Sequence, residues 1–161
     1  MSDPFVHLRV ASGYSLRYGA SQPSALVDAA ADADMDTLAI TDRDGLYGAV
    51  KFARACQRTG IAPVVGVDHT MADGSRAVSL ATSRKGWASL CRLTSAVHLA
   101  GERGKPHCTP ELIAGHDDLV VTLGDDSDLG RALASGSSDD AERVLRGRLN
   151  VVERHRLAIV A

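Results

Sequence analysis

The chain has 161 residues, 45% of them apolar, a mean hydropathy of -0.04 and a formal net charge of -2. That length suffices for one domain with a real core. No run approaches the ~20 apolar residues of a membrane-spanning helix, and the weakly acidic balance speaks against a surface that grips DNA by itself.

The opening Met1-Ser2-Asp3-Pro4 has neither a basic start nor an apolar stretch after it, so no signal peptide and a cytoplasmic location are expected. Six short runs rich in Val, Ile, Leu and Ala read as strands: Phe5 to Ala11, Thr37 to Thr41, Ala62 to Asp68, Arg76 to Thr82, Asp118 to Leu123 and Arg156 to Ala161. Helical patterns lie between most of them. Pro23 to Met35 has a proline in its first turn and Ser21 as a possible cap, with Leu26, Ala29, Ala30 and Ala33 on one face. Leu46 to Thr59 places Val50, Ala53 and Cys56 together and stops at Gly60.

Between the third and fourth strands, Asp73-Gly74 reads as a hairpin turn. Lys85 to Leu99 carries Leu90, Leu93 and Val97, with Trp87 expected to anchor it in the core, and stops at Gly101. Pro110 to Ala114 follows the capping candidate Thr109, and Ser138 to Leu149 has acids first and arginines last, as the helix dipole favours. Gly101 to Lys105 and Ser135 to Ser138 are loose-looking links. The alternation predicts an α/β fold with a mainly parallel sheet. The last strand pattern has no partner after it, which suggests a chain cut from something longer.

Functional side chains of α/β proteins gather at the C-terminal ends of strands. Three strands here carry polar groups: His7-Leu8-Arg9-Val10-Ala11-Ser12, Ile40-Thr41-Asp42-Arg43-Asp44-Gly45 and Val65-Gly66-Val67-Asp68-His69. Alternation along a strand puts His7, Arg9 and Ala11 on one side.

These segments resemble the PHP (polymerase and histidinol phosphatase) family, and most closely the N-terminal domain of bacterial DNA polymerase III alpha subunits. Gly13-Tyr14-Ser15-Leu16-Arg17-Tyr18-Gly19-Ala20-Ser21 is similar to the family's Tyr-Ser-Leu-Leu-Asp-Gly-Ala-Ser segment. Asp44-Gly45-Leu46-Tyr47-Gly48-Ala49-Val50-Lys51-Phe52 resembles the stretch after its second motif, and Pro63-Val64-Val65-Gly66-Val67-Asp68 its Pro-Ile-Ile-Gly-x-Glu strand. Ala96-Val97-His98-Leu99 and Gly104-Lys105-Pro106 follow in the family's order. The wording is nearest to actinobacterial error-prone or replicative alpha subunits.

The resemblance implies an α/β architecture of the PHP type, a distorted barrel of seven strands and helices, incomplete in this chain. Residues 1–161 would be the N-terminal portion of the PHP domain, without its remainder and without polymerase domains. Active members bind two or three metal ions through histidines and carboxylates and hydrolyse phosphoesters with metal-activated water.

Here the pattern is broken. Where active members have His-x-His, this chain has His7 and then Arg9; where they have Thr-Asp-His-Asp-Gly, it has Arg43 after Asp42; and Asp68 stands in place of the family glutamate. His7, Asp42 and Asp68 remain as residual ligand positions, with Asp44 and His98 as supporting residues. Arginine has no lone pair to offer a metal and stays protonated. No metal is therefore expected, and Arg9 and Arg43 would pair bidentately with Asp42, Asp44 and Asp68. The bland alternative has both arginines in solvent.

Weaker candidates are His69, beside the third-strand carboxylate, and the set His107, Cys108 and His116, whose spacing supports no zinc site. Cys56, Cys91 and Cys108 read as reduced thiols. Tyr14, Tyr18 and Tyr47 read as loop supports rather than base-stacking platforms. The implied function is a non-catalytic domain of a polymerase active in replication or translesion synthesis, so an enzyme only as part of its parent. Its partners would be the rest of the alpha chain and other replisome or translesion subunits, with DNA reached only through the parent and no membrane. The alternatives are a phosphoesterase or 3′-5′ exonuclease using zinc, manganese or magnesium, and a free-standing PHP-like binding protein.

Overall fold

The computed structural model describes residues 5–160. Ala161 and the opening Met1-Ser2-Asp3-Pro4, on which the expected lack of a leader rests, lie outside them. The chain divides into two compact units, Met1–Asp68 and His69–Ala161.

In the first unit α1 (Pro23–Asp32) and α2 (Ala49–Thr59) accompany two strands, β1 (Thr37–Arg43) and most of β2 (Ala62–Thr70). β1 and β2 pair in parallel, from Thr37 opposite Ala62 to Arg43 opposite Asp68. A parallel connection needs a crossover, and α2 supplies it. The core is formed by Val27 and Ala30 of α1, Leu38 and Ile40 of β1, Phe52, Ala55 and Cys56 of α2, and Ile61. Phe52 is fully buried, a stabilisation of about 2–3 kcal/mol from its apolar surface alone.

Several expectations are corrected here. Phe5 to Ala11 forms no regular strand. The carbonyls of His7 and Val10 accept from Ala39 and Thr41 N–H at 3.1 and 2.8 Å, so three steps along this segment match two along β1. The mismatch breaks the ladder, and Val10 N–H donates instead to Thr41 Oγ1 at 2.9 Å. α1 is capped by Gln22 without a side-chain bond rather than by Ser21, and it ends before Asp34, which has a positive φ of 57°. α2 begins at Ala49, not Leu46, because Asp44 turns the chain with φ 50°. Its inward face is Ala49, Phe52, Ala55 and Cys56, whereas Val50 is 59% exposed. It closes at Gly60 as expected, with left-handed φ 82°.

The second unit holds β3 (Arg76–Ala81), β4 (Leu119–Leu123) and β5 (Leu157–Ile159), together with α3 (Arg84–Ala100), α4 (Pro110–Ala114), α5 (Asp128–Ala134) and α6 (Ser138–Val151). β3 and β4 are antiparallel and β4 and β5 parallel. The turn at Asp73-Gly74 is present: Gly74 N–H donates to Met71 O at 2.9 Å, and Asp73 Oδ1 accepts from Ser75 N–H and Oγ. Thr109 caps α4 through Leu112 N–H, as expected. Ser83, Ser127 and Ser137 cap α3, α5 and α6. The helix α5 is absent from the sequence reading.

Trp87 does not anchor α3, being 38% exposed. The inward position belongs to Gly86, where a Cβ would lie 2.2 Å from Asp118 O. The close helix approach thus requires glycine there, and the indole is turned outward. The last strand is shorter than expected because Arg154–Arg156 forms a 3-10 turn. Arg156, 8% exposed, donates to the carbonyls of Leu119 at 3.1 Å, Ile113 and Ala114 at 3.5 Å, and His116. It ties the end of α4 and the segment after it to the start of β4. No helix among the described residues is long and apolar enough to cross a membrane.

Candidate functional site

Asp42 sits near the C-terminal end of β1 and is 2% exposed. A buried carboxylate must find donors. Oδ1 accepts from Ser12 N–H at 2.7 Å, Ser12 Oγ at 2.9 Å and Ser15 Oγ at 2.7 Å, and Oδ2 lies 2.9 Å from the same Ser12 hydroxyl. Arg43 N–H donates to Ser15 Oγ and Tyr14 N–H to Ser12 Oγ. The carboxylate thus ties the 12–18 turn to the end of β1. Gly48 makes room for it, since a Cβ there would stand 2.6 Å from Asp42 Oδ2 and 3.1 Å from Ser12 Oγ. The sequence reading missed Ser12 and Ser15 as partners of Asp42; serines three apart before a turn were the available signal.

Asp68, 5% exposed, stands at the corresponding end of β2. Its Oδ2 accepts from Arg9 Nε at 3.2 Å and Nη2 at 2.9 Å. Both of these donors reach the same oxygen, and the contact is charge-assisted. The Arg9 side chain is 37% exposed.

Arg43 departs from expectation. Its guanidinium lies over the Tyr18 ring, 3.2 Å from the centroid, and forms no ion pair among the described residues. Although β pairing places Arg43 opposite Asp68, the exposed tyrosine face offers a cation–π contact without desolvating the charge fully. Asp44 N–H donates to Asp68 O at 3.0 Å, which fixes the two strand ends. His7 is exposed and its ring meets Phe5 edge-on, 4.8 Å between centroids.

In the second unit, His98 lies exposed in the last turn of α3 and His69 is fully buried. His107 is exposed, His116 Nδ1 contacts Leu112 O at 2.8 Å, and Cys108 is buried. Among the described residues no three His, Cys, Asp or Glu side chains converge closely enough to share a metal ion. Asp42 is engaged by the serine donors and Asp68 by Arg9. The three cysteines form no disulfide among the described residues; burial pushes the thiols of Cys56 and Cys91 up, partly offset by a backbone hydrogen bond and by Arg92 respectively.

The buried carboxylates at the carboxyl ends of paired parallel strands place a polar cluster where α/β domains commonly carry their sites. Residues 7–159 match the PHP domain, and the chain belongs to that family.

Relatives include the error-prone DNA polymerase of Symbiobacterium thermophilum, 40% identical over 92% of this chain, and that of Mycolicibacterium paratuberculosis, 35% identical over 89%. The DNA polymerase III subunit alpha of Halalkalibacterium halodurans is 34% identical over 73%. The chain spans only 14%, 14% and 11% of those proteins' lengths. Among solved structures, an amidohydrolase from Chromobacterium violaceum aligns over 96% of this chain and 84% of its own, with TM-score 0.56 and 19% identity. A Bifidobacterium adolescentis protein described as a metal-dependent phosphoesterase aligns over the same shares with TM-score 0.54 and 13% identity. These two likenesses concern the fold.

Proposed function

We propose that this PHP domain belongs to a bacterial DNA polymerase of the error-prone or DNA polymerase III alpha type and serves it as architecture rather than chemistry. The carrying observation is the Arg9 guanidinium on Asp68, 2.9 Å apart. A cation sits at a position where a metal-binding relative would offer imidazole, and it occupies the carboxylate that would otherwise hold the ion. Arg43 adds a second guanidinium in place of an imidazole. Asp42 then acts as a loop anchor, and Asp44 helps hold the strand ends together.

On this reading the parent acts in the cytoplasm, in replication or translesion synthesis, and contacts replisome or translesion subunits and DNA through its other parts. Two experiments test it. With manganese, zinc or magnesium added, the chain is expected to hydrolyse bis-p-nitrophenyl phosphate no faster than buffer; turnover abolished by His7→Ala would overturn the architectural role. The open reading frame carrying these residues is expected to encode polymerase palm carboxylates as well. A frame without them would remove the polymerase assignment and favour a free-standing PHP-like protein.

A further inference from the structure

The second unit holds a cavity of about 440 Å³ between the turn after β2, the starts of α4 and α5, and α6. That size suits a small organic ligand. Its apolar lining includes the buried Met71 with the half-buried Val144 and Val151 of α6. Asp73 and Glu111 line it as well; both are exposed, and neither is in an ion pair among the described residues.

Arg148 lines the same cavity and yet is only 7% exposed. Asp128 Oδ2 accepts from its Nε at 2.9 Å and lies 2.7 Å from its Nη2. Nη1 has no hydrogen-bond partner among the described residues. A guanidinium carries five N–H donors, and donors left over on a buried one are costly until something accepts from them. Burial pushes the Asp73 carboxyl up, but hydrogen bonds from Ser75 and the charges of Arg148 and Arg131 carry it below its ordinary value. Glu111 is held low by its own backbone N–H and by Thr109. Both groups are therefore ionised at neutral pH.

We propose that this cavity binds a small zwitterion of the amino-acid class, with its carboxylate on Arg148, its ammonium beside Asp73 and Glu111, and an aliphatic side chain against Met71, Val144 and Val151. A bare organic cation leaves the Nη1 donors of Arg148 unmet. A bare carboxylic acid meets Arg148 but faces the carboxylates of Asp73, Glu111 and Asp128, and like charges at close range disfavour it. A ligand carrying both charges answers both groups. Asp128 holds the guanidinium before any ligand arrives, so little side-chain freedom is lost on binding. All of these residues belong to the second unit, and the site stands whether or not the parent is a polymerase.

Isothermal titration calorimetry of the 161-residue chain with L-leucine at neutral pH tests the site. Leucine is expected to saturate it with a dissociation constant of about 1 mM or tighter. Leucinamide lacks the carboxylate and isocaproate lacks the ammonium. Each is expected to bind at least about tenfold more weakly, through loss of one charge-assisted contact.

An Asp73→Asn, Glu111→Gln double variant supplies a second readout at two exposed positions, with circular dichroism to confirm that it is folded. It is expected to weaken leucine at least about tenfold and to strengthen isocaproate, because the repulsion of the acid is relieved. Absence of saturable heat with leucine up to about 10 mM would overturn the proposal. So would leucinamide or isocaproate binding as tightly as leucine, or leucine affinity unchanged in the double variant.

Discussion

Replacing Asp42 by alanine is expected to destabilise the chain strongly even when every metal has been removed. The carboxylate accepts from one backbone N–H and two hydroxyls while 2% exposed. Each hydrogen bond to a charged group contributes about 1.5–3 kcal/mol. The serine hydroxyls can turn toward other acceptors, so the loss is smaller than the sum, about 3–5 kcal/mol as for other buried polar networks broken from one side. For a domain of this size that corresponds to a fall of about 6–20 °C in melting temperature.

Asp42→Asn, which keeps the shape and one acceptor oxygen, should fall between wild type and Asp42→Ala. The assay is thermal and urea unfolding followed by far-UV circular dichroism in EDTA. A carboxylate kept for a metal behaves in the opposite way: in the metal-free protein its removal relieves strain and leaves stability unchanged or raised. An Asp42→Ala chain that melts at or above the wild-type temperature in EDTA would refute the reasoning.

Arg156→Met keeps much of the volume but removes the guanidinium donors to the carbonyls of Ile113, Ala114, His116 and Leu119, so urea unfolding should show a loss of about 2–4 kcal/mol. Ser79 Oγ is buried without a hydrogen-bond partner among the described residues, and Ser79→Ala is expected to leave the urea midpoint unchanged or slightly raised, because no bond is lost. Burial raises the Cys56 thiol above its ordinary value of 9.0, partly opposed by a backbone hydrogen bond. The native state therefore prefers the protonated thiol, and this contribution is complete below that value and lost as pH rises through the raised one. Alkaline unfolding should move to higher pH in Cys56→Ala if the fold tolerates the smaller side chain, and native Cys56 should resist iodoacetamide at pH 8, which mass spectrometry checks.

Much of the fold was readable because strands and helices carried their own periodicity and punctuation. Pro110 after Thr109, Gly60 at a helix end and the Asp73-Gly74 turn are local signals whose cause lies within a few residues. The segment Phe5 to Ala11 was misread because its alternation is real, while the register slip between His7–Val10 and Ala39–Thr41 is a tertiary fact. Trp87 was misread for a related reason: size suggested burial, but the helix approach is set by Gly86.

At the candidate site, residue type alone predicted that Arg9 and Arg43 offer a metal no lone pair. It did not determine where each guanidinium would go. Arg9 found a nearly buried carboxylate, whereas Arg43 found an aromatic face beside the same strand end. Ser12 and Ser15 were passed over because a serine in a loop acquires meaning only when the fold brings it to Asp42. The helix α5 was missed because its seven residues carry little periodicity, although Ser127 before Asp128 was a start signal.

The most direct test is the metal content of the purified chain after incubation with excess manganese or zinc and desalting, measured by inductively coupled plasma mass spectrometry. Guanidiniums at residues 9 and 43 predict only trace metal per chain, unchanged in His7→Ala. One ion or more per chain, lost in His7→Ala, would contradict the account.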